Sequence, residues 1–233
     1  MRSVAWWVIL AVATAVAVVG AGLAWWFNLG LFAGRVYMME DLGMEREKSS
    51  VDFNKNDIDD YADFLLGARK DAENFPKYDG SYVQGGYPDE DTGVCTDVIW
   101  RAFREAGYDL KAMVDADIAK NPAEYDIETP DSNIDFRRVK NLQKFFEKYA
   151  TKLSNDWQEN PGGWQPGDIM VSNNGGHIGV VSDRRNKNGR PYIIHNAGQP
   201  KREEDYLKRG KATGHYRFDA SKIDADVLKR WGE

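Results

Sequence analysis

The sequence predicts an α+β domain with a mostly antiparallel sheet. Stretches with helical spacing of apolar residues come first, between residues 57 and 149, and short β-branched runs follow from residue 168 onward. Because helices and strands are segregated along the chain rather than alternating, we do not expect the parallel sheet of a strand–helix–strand fold. The chain has 233 residues and no internal repeat, which is enough to bury one sizeable core.

The first element is a long apolar segment. Residues 4–27 contain no charged side chain, and as a helix they would extend roughly 36 Å, more than a hydrocarbon core of about 30 Å. Paired tryptophans stand near both ends, where aromatic rings settle at membrane interfaces. A cleavable signal peptide is the alternative, but its apolar region is only about 7–15 residues long. Residues 1–27 are therefore expected to form an uncleaved transmembrane anchor.

The segment 28–51 has mixed charge and no clear period. We expect it to be a juxtamembrane stalk that holds the domain, residues 52–233, away from the membrane. The basic residues near the anchor are Arg2 on one side and Arg35 and Arg46 on the other, which weakly opposes an orientation with the N-terminus inside. Long domains are exported largely regardless of loop charge. We therefore expect the domain on the extracytoplasmic side of the cell membrane.

The domain is predicted to contain four helices followed by four strands. Asn56 or Asp57 is expected to cap the first helix. Apolar residues repeat at helical spacing over 57–75, 92–106, 110–120 and 139–149. β-branched runs predict strands over 168–172, 177–183, 191–197 and 214–218.

Charge and cysteine content exclude several classes of protein. Lys+Arg number 31 against 37 Asp+Glu, so the formal net charge is −6, and nucleic acid is not an expected partner. Cys95 is the single cysteine, which excludes an intrachain disulfide and a Cys-based zinc site. Cys95 with two separated histidines is also a weak zinc signature, and we predict no metal and no cofactor.

Cys95 is either a packed apolar residue or a working thiol. With Thr92 as the cap of the second helix, Cys95 would be the third helical residue. A helix N-terminus and a neighbouring imidazole lower the pKa of a thiol, and the unpaired amides of the first turn can hold an oxyanion. The alternative is that Cys95 belongs to the buried stripe of this helix.

The histidines favour the working thiol. His177 opens a predicted strand directly after an Asn-Asn-Gly-Gly loop, and His195 lies in the next strand. The polar connection is centred on Asn186, so a hairpin turning there places the two histidines directly opposite each other. A tight turn at Asn188 and Gly189 would displace them. His177 would take the proton from Cys95, and His195 would orient His177.

Several motifs occur in order along the domain. They are residues 93–97, 130–135 with 137–139, 165–169, 176–183, 195–196 and 214–216. At these motifs the chain resembles the bacterial family catalogued as domain of unknown function 1287 and, more distantly, the NlpC/p60-type cell-wall hydrolases of the papain-like superfamily. The distant resemblance implies a papain-like fold, with a cysteine-bearing helix packed on an antiparallel sheet that carries the histidine.

The resemblance also implies roles for particular residues. Cys95 would be the nucleophile, His177 the base and His195 the third polar residue. Either Tyr82 or Tyr87 would help to shape the oxyanion site. The substrates would be peptide or amide bonds in peptidoglycan, although Val94 stands where the acidic residue common before the nucleophile is expected, and the gap between the histidines is longer than usual.

Other polar residues are candidates for substrate binding. Asp97 follows the cysteine by two and either steers a substrate amine or acts only as a favourable partner of the helix dipole. Asp131 and Arg137 either line a cleft that binds charged peptide stems or make loop hydrogen bonds. Asn196 is expected to support His195.

These inferences predict a membrane-anchored, extracytoplasmic cysteine peptidase or amidase that acts on wall peptides or related amides. Two alternatives stay open. One is a papain-like binding module without turnover. The other is an acyltransferase, because the nucleophilic step with an amine acceptor is the same as the step with water.

Overall fold

The computed structural model describes residues 14–22 and 35–233. The chain divides into two units, Met1–Arg35 and Val36–Glu233. Residues 14–22 are helical, and the rest of the predicted anchor lies outside the described residues. Within those two described ranges, no helix has both the length and the apolar character needed to cross a membrane.

The second unit contains the four predicted helices. The first begins later than expected because Asp59 caps it, with a side chain that accepts a hydrogen bond from the Ala62 amide. The predicted cap at Asn56 or Asp57 is therefore wrong; both residues belong to the preceding loop, where Asp57 has a φ of 68°. The helices are α1 (Asp60–Asn74), α2 (Cys95–Glu105), α3 (Leu110–Lys120) and α4 (Val139–Tyr149).

The strands form one main antiparallel sheet, which confirms the predicted α+β class. The strands are β1 (Tyr37–Met38), β2 (Lys77–Tyr78), β3 (Thr92–Gly93), β4 (Thr151–Lys152), β5 (Ile169–Ser172), β6 (His177–Arg185), β7 (Pro191–Ile194), β8 (Glu203–Glu204) and β9 (Ala212–Arg217). The order in the main sheet is β4-β9-β5-β6-β7-β8, with β1 also paired to β6, and β2 and β3 form a separate parallel pair.

The sheet separates two apolar clusters. The larger lies between the helices and the sheet, and it includes Phe103 of α2 with Ile178 and Val180 of β6. The smaller lies on the opposite face and includes Val181 and Tyr206. Because side chains alternate along a strand, β6 contributes to both clusters and is the central strand of the domain.

Residues 36–51 are part of the folded domain, so the predicted stalk is wrong over this range. Tyr37 pairs with Arg185 of β6. Met39, two residues further on, is fully inaccessible to solvent, and its amide donates to the Asp183 carbonyl at 3.0 Å. Further along, Gln165 hydrogen bonds the backbone at both Glu45 and Glu47. The domain therefore begins at Val36 rather than at residue 52, and the rest of the predicted stalk before residue 35 lies outside the described residues.

The β6–β7 hairpin differs from its predicted register by two residues. Val180 pairs with Ile194, so His195 stands opposite Gly179 rather than opposite His177. The turn closes through a hydrogen bond from the Asn186 amide to the Arg190 carbonyl, and the pairing shifts between Val181 and Arg185. The turn is therefore centred on Asn188, and the predicted centre at Asn186 is wrong. The shift in pairing reduces the displacement of the two histidines from four residues to two. His177 and His195 are therefore diagonal neighbours on one face, which is still within reach of long side chains.

Candidate active site

Cys95 is the first residue of α2, and Val94, with extended backbone, is the cap. The predicted cap at Thr92 is wrong because Thr92 lies in β3, paired with Lys77. Instead, the carboxylate of Asp97, the third helical residue, accepts a hydrogen bond from the amide of the cap residue Val94 at 2.7 Å. Cys95 is therefore the first helical residue rather than the predicted third, and it lies in the turn whose backbone amides have no partner within the helix.

The thiol of Cys95 is buried, with 8% of the residue exposed. Burial raises the pKa of Cys95 to about 11, although hydrogen bonds from the Ile178 and Thr96 backbone amides favour the thiolate. The direction is opposite to the lowering expected from the helix N-terminus. Cys95 is therefore a neutral thiol at pH 7.

The two histidines contact each other as predicted. His177 Nε2 lies 2.9 Å from His195 Nδ1, and the two rings are nearly perpendicular. Burial, together with the nearby His195, lowers the pKa of His177 to about 4. Both rings also pack against the ring of Tyr206. His177 is thus a neutral imidazole whose Nε2 is engaged, and Nδ1 is the atom left for other chemistry.

The thiol and His177 approach the same end of β6. His177 is the first residue of this strand, and the amide of the next residue, Ile178, hydrogen bonds the Cys95 sulfur. Within residues 35–233, no direct hydrogen bond joins the sulfur to the His177 ring. The fold therefore brings the three predicted catalytic residues to one region, with the two rings bonded and the thiol beside them.

Glu204 extends this site, and sequence reasoning missed it. His195 Nε2 lies 2.9 Å from Glu204 Oε1, and Arg209 Nη1 donates to Glu204 Oε2 at 2.6 Å. Burial acts to raise the pKa of Glu204, but the hydrogen bonds from His195 and Arg209 lower it to about 2. Glu204 belongs to a run of charged residues that resembles a solvated loop. Only the pairing of β8 with β7, where Glu204 stands opposite Ile193, brings it to the histidines.

Asn196 connects the histidine strand to the cysteine loop. Its Nδ2 donates to the Gly93 carbonyl at 3.0 Å, and its Oδ1 accepts from the Gly198 amide at 3.0 Å. Asn196 is fully buried. It therefore positions the backbone two residues before Cys95 rather than the ring of His195.

Asp97 and Arg137 form a buried ion pair below the cysteine. Arg137 donates to both carboxylate oxygens of Asp97, at 2.8 and 2.9 Å, and both side chains are almost completely inaccessible to solvent. Trp100 Nε1 also donates to Asp97, and Arg137 Nη1 donates to the Ser81 carbonyl. The pair thus lies in the interior, where it joins α2 to two loops, and not where a substrate would contact it.

The two candidate tyrosines have different surroundings. Tyr87 donates to Asp109 at 3.0 Å, and its ring packs against Trp100, among other aromatic rings, so its hydroxyl is already occupied. Tyr82 is 55% exposed, and its hydroxyl contacts Asp131 at 3.2 Å. Its neighbour Gly80 faces the Val94 side chain. Of the two, Tyr82 lies on the loop beside the cysteine.

His215 has a structural role. Its Nε2 lies 2.8 Å from Asp168, its Nδ1 lies 2.9 Å from the Ser154 carbonyl, and its ring stacks on Trp164. Both ring nitrogens are therefore occupied. Within the described ranges, no group of three or more His, Cys, Asp or Glu side chains has an arrangement suited to a metal ion.

Comparison with known proteins identifies a family. The sequence model of the family described as domain of unknown function (DUF1287) matches residues 65–218. The chain belongs to the DUF1287 family. It is also 42% identical over 163 residues to the uncharacterized protein YijF of Escherichia coli strain K12, covering 65% of this chain and 78% of that protein. No solved structure matches the chain. The DUF1287 match includes Cys95, both contacting histidines and Glu204.

Proposed function

We propose that this DUF1287 chain is a cysteine hydrolase, a peptidase or amidase, in which Cys95 is the nucleophile, His177 the base and His195 the orienting residue. The observation that carries the proposal is the His177–His195 hydrogen bond of 2.9 Å, located where β6 begins and where an amide of that strand bonds the only thiol of the chain. A nucleophile, a base and a group that orients the base are the parts that covalent acyl transfer requires.

The neutral state of both groups defines the first chemical step. Burial keeps Cys95 as a thiol and His177 as an imidazole at pH 7. The sulfur therefore attacks the substrate carbonyl while His177 accepts its proton, so that a C–S bond forms as the S–H bond breaks. The leaving amine then takes this proton from His177 as the C–N bond breaks, which leaves a thioester on Cys95. A water molecule, deprotonated by the same ring, attacks the thioester, and the C–S bond breaks as the sulfur takes the proton back from His177.

The developing oxyanion needs donors that are already in place. The N-terminal turn of α2 provides backbone amides without helical partners, and Cys95 is its first residue. The hydroxyl of Tyr82, on the loop beside Val94, is a second candidate donor. We assign Tyr82 rather than Tyr87 to this role because Tyr82 is exposed on this loop, whereas Tyr87 packs against Trp100 and is bonded to Asp109.

A papain-like fold of the NlpC/p60 type is part of the same proposal. Its support is the packing of a helix that begins with a cysteine against an antiparallel sheet whose strand begins with a histidine. The proposed substrates are therefore peptide or amide bonds of peptidoglycan. An anchor over residues 4–27, supported by its uncharged apolar sequence, would hold the domain on the extracytoplasmic face of the membrane.

Hydrolysis of purified wall peptides tests the proposal. The full chain in detergent micelles is incubated with a panel of peptidoglycan stem peptides, and released products are identified by mass spectrometry. We expect cleavage that Cys95→Ala abolishes and that His177→Ala lowers by about 10²–10⁴-fold. Ser221→Ala, on an exposed turn far along the chain, is the control and should cleave normally. Cleavage that persists in Cys95→Ala would overturn the assignment.

A binding module without turnover is the second candidate, because the thiol is buried and its pKa is raised. Wall peptides that bind without being cleaved, with equal affinity for the unaltered chain and for Cys95→Ala, would favour it. An acyltransferase would instead yield a product in which an added amine replaces the released one. The same mass spectra distinguish that product from hydrolysis.

A further inference from the structure

A chain of three polar contacts starts at His177 and ends at the protein surface. His177 Nε2 meets His195 Nδ1 at 2.9 Å, and His195 Nε2 meets Glu204 Oε1 at 2.9 Å. Arg209 then donates to both oxygens of Glu204, at 2.5 Å to Oε1 and 2.6 Å to Oε2, and its side chain is 48% exposed. Of the four ring nitrogens of His177 and His195, three therefore have a partner in this series of contacts, and His177 Nδ1 does not.

The chemistry of the end members determines where the protons are. An arginine side chain only donates hydrogen bonds, and an ionised carboxylate only accepts them. Glu204 is ionised at neutral pH because its pKa is about 2, so His195 Nε2 must carry a proton and donate it. A neutral His195 then has a lone pair on Nδ1, which accepts from His177 Nε2–H. His177 Nδ1 is consequently left as an unprotonated base.

The surroundings of His195 keep it neutral. Burial lowers the pKa of His195, and the positively charged Arg209 and Arg202 lower it further, although Glu204 acts in the opposite direction. His177 and the ring of Tyr206 also contact His195, and Gln199 Nε2 lies 3.2 Å from its Nδ1 and 3.3 Å from its Nε2. Gln199 Nε2 donates to the His195 carbonyl at 2.8 Å, so the backbone of this residue is held as well.

We propose that Glu204, held by Arg209, is a positioning residue that fixes the tautomers of both histidines and leaves His177 Nδ1 free as the base. This inference rests on the proposed hydrolase for its catalytic meaning. The proton arrangement itself is a property of the free protein, so it is measured without any substrate.

The substitution Glu204→Leu tests the proposal because it removes the carboxylate that accepts from His195 Nε2. Arg209, which donates to both oxygens of Glu204, is freed in this variant and can only donate. It therefore favours a lone pair on His195 Nε2, so that His195 carries its proton on Nδ1 and donates it to His177 Nε2. The His177 proton is then on Nδ1, and the base is lost.

The measurement is long-range ¹H–¹⁵N NMR of the histidine rings in the full chain in detergent micelles. We expect protonated Nε2 on His177 and His195 in the unaltered chain and protonated Nδ1 on both in Glu204→Leu. The matched control is Glu203→Leu, because the neighbouring Glu203 pairs with Arg69 instead of a histidine. The histidine rings of this control should match those of the unaltered chain. Where turnover is measured, Glu204→Leu should lower kcat by about 10²–10⁴-fold with KM little changed.

Unchanged tautomers in a folded Glu204→Leu chain would overturn the proposal. If that variant does not fold, the unaltered chain alone decides: a His177 ring protonated on Nδ1 contradicts the assignment, and one protonated on Nε2 supports it. Reversed tautomers in Glu204→Leu, with no cleavage by the unaltered chain, would support the proton arrangement and count against the hydrolase.

Discussion

At the scale of single residues, burial keeps both Cys95 and His177 uncharged at neutral pH. The pKa of the thiol is raised to about 11 and that of the imidazole is lowered to about 4. A preformed thiolate–imidazolium pair would require the opposite shifts. In the proposed hydrolase the proton would therefore be transferred during attack, as in a serine hydrolase, and the orientation of the histidine ring would matter more than the resting charge of the sulfur.

The pH dependence of alkylation tests this view. The thiolate is the reactive form, and a raised pKa means that it is scarce below about pH 9. We expect the rate of Cys95 alkylation by iodoacetamide, followed by mass spectrometry, to rise steeply between about pH 9 and 11. Cys95→Ser, which removes the only thiol, is the blank. If the alkylation rate instead reached half its maximum below pH 8.5, which is about the ordinary pKa of a cysteine thiol, the site would stabilise the thiolate.

The residue types that carry the proposed chemistry could be found from the sequence, but one partner could not. A single cysteine and two histidines at strand positions are visible in the sequence itself. Glu204 is hidden because the residues around it are charged, and such runs usually face solvent. Its contact with His195 depends on the pairing of a two-residue strand, which has no periodic signal.

At the scale of elements, the four helices were predictable and the strand register was not. Each helix has an apolar stripe repeated over several turns, and α3 and α4 have the predicted bounds. The β6–β7 register depends instead on one shift in pairing between Val181 and Arg185. Such a shift changes the partner of every residue beyond it. The histidines still meet because they remain on the same face of the sheet.

Gly179 controls the spacing between these strands. A Cβ on this residue would lie 2.6 Å from Ile193 Cγ2 and 2.7 Å from the Ile194 carbonyl oxygen, distances that require β7 to move. We expect Gly179→Ala to lower the free energy of unfolding by about 1–3 kcal/mol and to weaken the contact between the histidine rings. Urea denaturation measures the first effect. Gly80→Ala is the control, since its nearest atom is 3.6 Å away, and equal losses in both variants would contradict the steric account.

The Asp97–Arg137 pair is a second element-scale feature, because it fixes the start of α2. Asp97→Ala leaves the buried Arg137 charge uncompensated and removes the acceptor of the Val94 amide. We expect the free energy of unfolding to fall by roughly 3–5 kcal/mol, measured by urea denaturation. The double variant Asp97→Ala with Arg137→Met removes the charge as well and should recover part of this loss. A single-variant loss under about 1 kcal/mol would show that the pair is not important for stability.

At the scale of the whole molecule, the domain includes the segment that the sequence predicts as a stalk. Residues 36–51 have mixed charge and no period, so their packing is not evident from composition. Their attachment depends on contacts far apart in sequence, such as Gln165 with Glu45 and Glu47. A buried methionine within a polar segment, Met39, is the one local sign that this range packs against a core.

Substitution of neighbouring methionines tests this boundary. Met39 is fully buried and Met38, next to it, is 38% exposed. We expect Met39→Ala to lower the free energy of unfolding by about 2–5 kcal/mol and Met38→Ala to change it by no more than about 0.5 kcal/mol, both measured by thermal or urea denaturation. A free stalk would instead make the two variants equivalent.

The position of β1 also has a mechanical consequence. Strand β1 has only two residues and pairs with Arg184 and Arg185, at the end of β6 opposite to His177. A tensile load on the chain before Val36 would act first on the Tyr37–Arg185 pair and peel β1 away, one hydrogen bond at a time. The eight residue steps of β6 that separate Arg185 from His177 correspond to about 26 Å. Strand β1 would therefore detach before the rest of the sheet, and the histidine end of β6 would carry little of the load.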